Sequence, residues 1–281
     1  MVKLVDTKDL KSLPYGSASS SLAEGTKIIM NKFHFVFDKT SKSQKLKKKF
    51  FNKYKNYKAS LSDVIIVGGG DGFMLSSIKK YIKFKKPFYG INCGTYGFLM
   101  NENKSLNLCK KIKFAKKTFI KPLEIIGVKK KLKKFIAINE VSIFRQSKQT
   151  AIVRIKAGKI TIIKKLIGDG VLISTPAGST AYNLSVHGPI LSLNSGKLAI
   201  TPISPFRPRR WKGKIISNNL TIEIRNLYPK KRPIAAVADN VEIRNIKNLK
   251  IRVNKKINII LLHDPKKTLE KRIQKEKLRK K

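Results

Sequence analysis

Apolar and polar positions follow two different rhythms along this chain. At residues 63–67 the run DVIIV is almost continuously apolar, which predicts a strand buried on both faces. GGGDG follows at once, at residues 68–72. FMLSSIKKYI then places Phe73, Met74, Ile78, Tyr81 and Ile82 at helical spacing. The local order is strand, glycine loop, helix. PFYGIN at 87–92 reads as a further short strand, and KIIM at 27–30, after a Ser-rich opening, as an earlier one. The Lys-dominated stretch 42–57 sets Leu46, Phe50, Phe51 and Tyr54 at near-helical intervals and predicts a basic amphipathic helix. Strands alternating with helices imply an α/β layer with a parallel sheet.

The rhythm changes after about residue 122. LEIIGVKKK, KFIAINEVSIFR, AIVRIKAGKITIIKKLIGDGVLIST and LTIEIRNL are strand-like runs separated by turns. Helical spacing is scarce here, apart from a short candidate at 179–185, so this half is expected to be mostly β. From residue 263 the chain is strongly charged, with Leu269, Ile273 and Leu278 at helical intervals. Either a helix packs back on the first half or a basic tail frays. There is no internal repeat and no low-complexity linker.

Length and composition narrow the classes. The 281 residues suffice for one large domain or two ordinary ones. With 41% hydrophobic and 8% aromatic residues, the composition is that of a globular chain. The apolar runs are far short of the roughly 20 residues that cross a bilayer. The opening MVKLVDTKDL contains Asp6 and Asp9 and does not read as a secretory signal. Cys93 and Cys109 offer neither a disulfide framework nor metal-ligand spacing, which suits a reducing cytoplasm.

Charge is the anomaly. Lys and Arg total 63 against 16 acidic residues, a formal net charge of +47. Nucleic-acid binding is one reading, because phosphate neutralisation dominates that affinity. A solvated Lys-rich surface is the other. The lysines are spread along the whole chain and greatly outnumber the arginines favoured for base and bidentate phosphate recognition. The second reading is therefore preferred, with non-specific polyanion binding expected in low salt.

Three motifs carry chemistry. In GGGDG the glycines Gly68, Gly69, Gly70 and Gly72 let backbone N–H groups approach phosphate oxygens at a helix N-terminus. A carboxylate there would repel phosphate, so Asp71 needs another task. It either accepts from a hydroxyl undergoing phosphorylation or caps the helix that starts near Phe73. The loop lacks the Lys-Ser/Thr of a P-loop and the spacing of GxGxxG. In the second motif, AINEV, Asn139 and Glu140 interrupt an apolar strand. They suit ribose hydroxyls or an adenine edge, or simply end the strand. The third, GDGVLISTPAGSTAYNLS at 168–185, is a strand broken at Pro176 and Gly178. Its small and hydroxylated residues leave room for a flat base that Tyr182 would border. Alternatively Ser179 or Thr180 caps a helix.

Taken together and in order, these motifs resemble the NAD kinases. GGGDG is similar to their GGDG, GINCGTYGFL to their GxNxGxLGFL segment, INEV to their Asn-Glu/Asp pair, and residues 168–185 to their longest signature. TPISPFRPRRW is similar to their Thr-Pro-Ile segment. The likeness spans roughly residues 61–240. It implies a Rossmann-like α/β N-terminal domain with the glycine loop (1–118), a mostly β, sandwich-like C-terminal domain that binds NAD (119–250), and a C-terminal strand and basic helix returning to the first domain (251–281). The implied reaction moves the γ-phosphoryl group of ATP to the 2′-hydroxyl of the adenosine ribose of NAD, giving NADP.

By the same resemblance Asp71 is the base. Gly72 and Phe98 line the cleft, and Asn139 and Glu140 hold the dinucleotide. Thr180, Ala181, Tyr182 and Ser185 surround the adenine end, Ala177 is a further NAD-binding position, and Asp169 stands near the nicotinamide half, supplied by a neighbouring subunit of a dimer or tetramer. Gly68, Gly69 and Gly70 hold the donor phosphates with a divalent cation, normally Mg²⁺, and the protein supplies no metal site of its own. Several positions depart from the family pattern. Phe73 stands where Thr is usual, Ala177 where Thr or Ser is, Tyr96 where Leu is, His187 where Gly is, and Asn240 where Gly follows Asp. Two other classes remain open: a lipid kinase sharing GGDG, and a basic nucleic-acid-binding protein.

Overall fold

A computed structural model of the chain describes residues 32–95, 97–103, 106–126, 135–265 and 267–278. The strand expected at 27–30 and the departure at Tyr96 lie outside them. The first sheet has five strands: β1 (Phe33–Phe37), β2 (Val64–Gly69), β3 (Phe88–Asn92), β16 (Ile259–His263) and β4 (Lys116–Ile120), in that spatial order. The first four run parallel and β4 antiparallel to β16. The continuous apolar run works as expected. In β2, Val64 and Ile66 point into one layer while Ile65 and Val67 point into the other, all four with no exposure.

Helices cover both faces. α1 (Ser41–Phe51) and α3 (Leu108–Phe114) supply Leu46, Phe50, Leu108 and Ile112 to one layer. α2 (Asp71–Tyr81) and α5 (Leu269–Leu278) supply Met74, Leu75, Ile78, Leu269 and Ile273 to the other. This is the α/β, Rossmann-like layer anticipated, and the C-terminal segment returns to it with both a strand and a helix. α1 is shorter than expected. It is capped by Asn52, and Tyr54 turns inward against Phe33 and Phe50, its hydroxyl donating to Leu106 O (2.9 Å) and accepting from Leu108 N (3.0 Å).

Among the described residues the second unit is an antiparallel, sandwich-like sheet of eleven strands around one aliphatic core, among them β5 (Leu123–Ile126), β6 (Phe135–Ala137), β11 (Lys214–Ser217), β12 (Ile222–Asn226), β14 (Val241–Ile243) and β15 (Asn248–Val253). The strands that frame the site are β7 (Glu140–Arg145), β9 (Ile160–Ser174), β10 (Lys197–Arg207) and β13 (Ile234–Ala238). The long β9 pairs with β8 (Ala151–Ala157) along its first half and with β7 and β10 along its second. Its end leads straight into the turn at 175–180. Ile138 and Ala177 from this unit pack into the core of the first sheet, so the two units share a wall beside the glycine loop. Among the described residues no helix is long and apolar enough to cross a membrane.

Candidate active site

β2 ends in the glycine loop, whose glycines divide between two tasks. A Cβ on Gly68 would strike the Phe37 ring at 2.4 Å, and one on Gly69 would meet Asp38 and Phe73 at 2.8 Å. Those two positions are glycine for packing. A Cβ on Gly70 or Gly72 would meet nothing within 4 Å. The backbone on either side of Asp71 therefore faces open space at the start of an eleven-residue helix, a place suited to phosphate oxygens.

Capping is not the task of Asp71. Gly70 is the N-cap and Asp71 the first helical residue, with no side-chain capping bond. Its carboxylate instead crosses to the loop after β3, where Oδ2 accepts from Phe98 N (2.6 Å) and Oδ1 from Leu99 N (2.8 Å). The same loop is held from its other side by α5. Arg272 Nη1 donates to Gly97 O (2.8 Å) and to Phe98 O (2.6 Å). Burial lowers the Arg272 pKa, while the Asp71 and Asp264 charges act to raise it. Beside this arrangement opens a cleft of about 710 Å³ lined by Asp71, Gly97, Phe98 and Thr180, with α5 as its far wall.

Asn139 and Glu140 stand where β7 begins, and the turn at 175–180 is stitched to them. Thr175 N donates to Asn139 O (2.9 Å), and Thr175 Oγ1 donates to Ile138 O (2.8 Å) and accepts from Gly178 N (3.0 Å). Gly178 lies so close that a Cβ would sit 2.2 Å from Asn139 O. The backbone N–H groups of Ile138, Asn139 and Glu140 all converge on the Asp239 carboxylate. Lys79 of α2 pairs with that carboxylate at 3.0 Å, with 15% and 1% of the two side chains exposed, so the pair is desolvated. Through it the glycine-loop helix is tied to the Asn-Glu motif.

Glu140 is the electrostatic oddity. Its Oε2 is buried with no hydrogen-bond partner. Burial, with the Asp239 charge adding and Lys79 opposing, pushes its pKa up to about 7. A buried acceptor left open is expensive unless a ligand donor completes it. Tyr182 lies in the same electrostatic neighbourhood. Its hydroxyl pKa is raised by burial and then by Glu140 and Asp169, and its ring stacks on Phe144 at 6.0 Å. Asp169 lies partway along β9 and pairs with Arg145 at 2.5 Å in the same chain.

The anticipated residues thus fall into two adjoining groups. Asp71, Phe98 and Thr180 share the cleft; Asn139 and Glu140 stand at the start of β7, and the Glu140 and Asp169 charges both act on Tyr182. The expected helix at 179–185 splits into a 3-10 turn (Ala177–Thr180) and a single turn (Tyr182–Ser185), broken at Ala181. Ser185 is exposed beyond the break. Ala177 does not face the cleft: it is 3% exposed, packs into the first core and borders a separate cavity of about 320 Å³.

The ATP-NAD kinase C-terminal domain model matches residues 138–255. The NAD kinase of Zymomonas mobilis is 44% identical over 253 residues, covering 89% of this chain and 98% of its own. The chain belongs to the NAD kinase family. The Mesorhizobium japonicum NAD kinase is 41% identical, over 89% of this chain and 98% of its own. Among solved structures, an NAD kinase from Archaeoglobus fulgidus in complex with ATP superposes with a TM-score of 0.68 at 19% identity, covering 87% of this chain and 96% of that one. Those coordinates support the fold.

The NAD kinase departures now have physical readings. His187 has φ +60°, the left-handed region that Gly enters freely and His enters more readily than most residues. At the Asp239-Asn240 turn the left-handed residue is Asp239 (φ +52°), not Asn240, whose amide accepts from Lys79 (3.0 Å) and donates to Ser76 (3.3 Å). Phe73 packs over Gly69. Sequence reading missed Asp239, Lys79 and Arg272 as members of the site. All three act on backbone far along the chain, which no local spacing reveals.

Proposed function

We propose that this chain is an NAD kinase: it transfers the γ-phosphoryl group of ATP to the 2′-hydroxyl of the adenosine ribose of NAD, releasing NADP and ADP. The observation that carries this reading is Asp71, on a glycine loop open on both sides, facing a cleft that also reaches Thr180 of the long signature turn. The Asp71 carboxylate accepts the ribose hydroxyl proton as the new O–P bond forms and the bond to ADP breaks. Both its oxygens already accept one N–H, which fixes the group, and each keeps a lone pair for the hydroxyl. Gly70 and Gly72 offer N–H groups to the donor phosphates.

Asn139 and the open Glu140 Oε2 would take ribose hydroxyls of the dinucleotide, with Thr180, Ala181, Tyr182 and Ser185 bordering the adenine. Asp169 would belong to the nicotinamide half, its pairing with Arg145 leaving it half-exposed for a second subunit of a dimer or tetramer. Ala177 would act only by packing. Among the described residues no group of three His, Cys, Asp or Glu is placed to hold a metal ion. Mg²⁺ would enter with the ATP phosphates, where it would supply charge neutralisation. A reducing, cytoplasmic setting fits the unpaired Cys93 and Cys109. A C-terminal segment returning to the first domain is supported by β16 lying in the first sheet and α5 packing on it, while the bounds at 118 and 250 fall inside β4 of the first sheet and β15 of the second.

The test is NADP formation from NAD, ATP and Mg²⁺ by the purified chain. Turnover that requires Asp71 upholds the reading. Lack of turnover with ATP and with polyphosphate, on NAD and on NADH, rejects it.

A further inference from the structure

The wall of the cleft opposite Asp71 is more basic than holding NAD requires. Lys267, Lys271 and Lys275 follow one another at intervals of four residues, which stacks them along one face of α5 and the turn before it. All three border the cleft of about 710 Å³ together with Asp71. Lys267 is engaged by Glu102, and Arg272 by the Gly97 and Phe98 carbonyls. The exposed ammonium groups of Lys271 and Lys275 make no ion pair or hydrogen bond among the described residues. Two like charges one helical turn apart repel, and an anion with several charged oxygens relieves that repulsion when it spans them. Of the cleft carboxylates, Glu102 is paired with Lys267, and the Asp71 oxygens accept from Phe98 N and Leu99 N across the cleft.

We propose that Lys271 and Lys275 form a subsite for the phosphate chain of the phosphoryl donor, with Arg272 as a positioning residue that keeps the 97–98 backbone, and through it Asp71, in register with that chain. The proposal rests on the NAD kinase reading above. The ligand chemistry is a linear chain of phosphoanhydride-linked phosphates, which a flexible point charge with three donors suits well. ATP and inorganic polyphosphate share it. The lysines contribute charge and hydrogen bonds only, and no bond to them is made or broken.

The test separates this subsite from the diffuse charge of the molecule. Binding of inorganic tripolyphosphate is measured by calorimetry at fixed salt for the parent, for Lys271→Ala/Lys275→Ala, and for Lys48→Ala/Lys49→Ala on the exposed surface of α1. All three are expected to give the same circular dichroism spectrum, since Ala favours helix. The first double variant is expected to bind at least about tenfold more weakly, from the loss of two charge-assisted contacts, and the second to match the parent. Lys271→Arg/Lys275→Arg is expected to keep most of the affinity. In turnover, the KM for ATP rises by a similar factor while the KM for NAD stays within about twofold. Running ATP and polyphosphate side by side as donors shows which source the subsite serves. Equal weakening in both alanine pairs, unchanged binding, or no tripolyphosphate binding by the parent would each overturn the subsite. The calorimetry needs no turnover, so failure of the kinase reading appears separately, as absence of NADP from the parent.

Discussion

Asp71 and Arg272 grip the same two peptide units from opposite sides: in one, Phe98 N donates to Asp71 Oδ2 at 2.6 Å and Gly97 O accepts from Arg272 Nη1 at 2.8 Å, and in the next, Leu99 N donates to Asp71 Oδ1 at 2.8 Å and Phe98 O accepts from Arg272 Nη1 at 2.6 Å. A residue 201 positions downstream of the glycine loop thus sets the backbone on which the Asp71 carboxylate rests. Arg272→Ala is expected to lower kcat by about tenfold or more, since small displacements of a reacting group are costly. Arg272→Lys, which keeps one nitrogen for the two carbonyls but loses the Nε bond to Lys267 O (3.1 Å), is expected to recover only part. Steady-state kinetics with a parallel thermal melt separates a lost position from lost folding.

Glu140 gives a pH signature. Its carboxyl pKa is raised to about 7 in the folded chain from an ordinary value of 4.5. Folded protein therefore holds a proton that unfolded protein releases between those values, and stability falls as pH rises from about 4.5 through 7. Glu140→Gln removes that penalty, so its Tm is expected to exceed the parent's above pH 7, with the gap closing towards pH 4.5. Ribose hydroxyls donating to Glu140 favour its ionised form. NAD affinity is then expected to rise with pH up to about 7 in the parent and to lose this dependence in Glu140→Gln, as read by titration calorimetry.

Two glycine-to-alanine changes are expected to differ in kind. Gly178→Ala puts a methyl 2.2 Å from Asn139 O, a backbone atom that cannot step aside, so Tm and NAD affinity both fall. At Gly70 the added Cβ meets nothing and φ is −103°. Gly70→Ala is expected to melt like the parent and lose activity, because the methyl occupies the approach to the donor phosphates. A melt and an activity assay on each decide this.

Much of this was legible in the chain. The continuous run DVIIV gave the two-faced strand β2, and the spacing of Met74 and Ile78 gave α2, because both are local patterns of burial. Leu269 and Ile273 foretold a helix that packs back. The task of Asp71 was not decidable locally: its partners are the N–H groups of Phe98 and Leu99, 27 and 28 residues on. Ala177 sat in the right motif yet turned to the core, since successive residues of a tight turn point in different directions. The end of α1 was hidden because Tyr54 continues the helical spacing but is drawn inward by Phe33 and the Leu106 carbonyl.

Asp239 was likewise invisible, with partners about 100 residues away. It anchors three N–H groups and Lys79 from a left-handed backbone. Asp239→Ala strands those groups and is expected to cost about 3 kcal/mol or more, from unsatisfied buried donors and an unpaired Lys79. Chemical denaturation measures it. NAD affinity should fall with it, because the same N–H groups orient Asn139 and Glu140.

The most direct measurement is the rate of NADP formation from NAD, ATP and Mg²⁺ by the parent and by Asp71→Asn, which keeps the side chain's size and one of its two accepted N–H bonds and loses the basic carboxylate. Turnover by the parent is expected, with a loss of at least about a hundredfold in kcat for the variant and NAD affinity nearly kept. A parent that makes no NADP, or a folded Asp71→Asn as fast as the parent, would contradict the kinase reading.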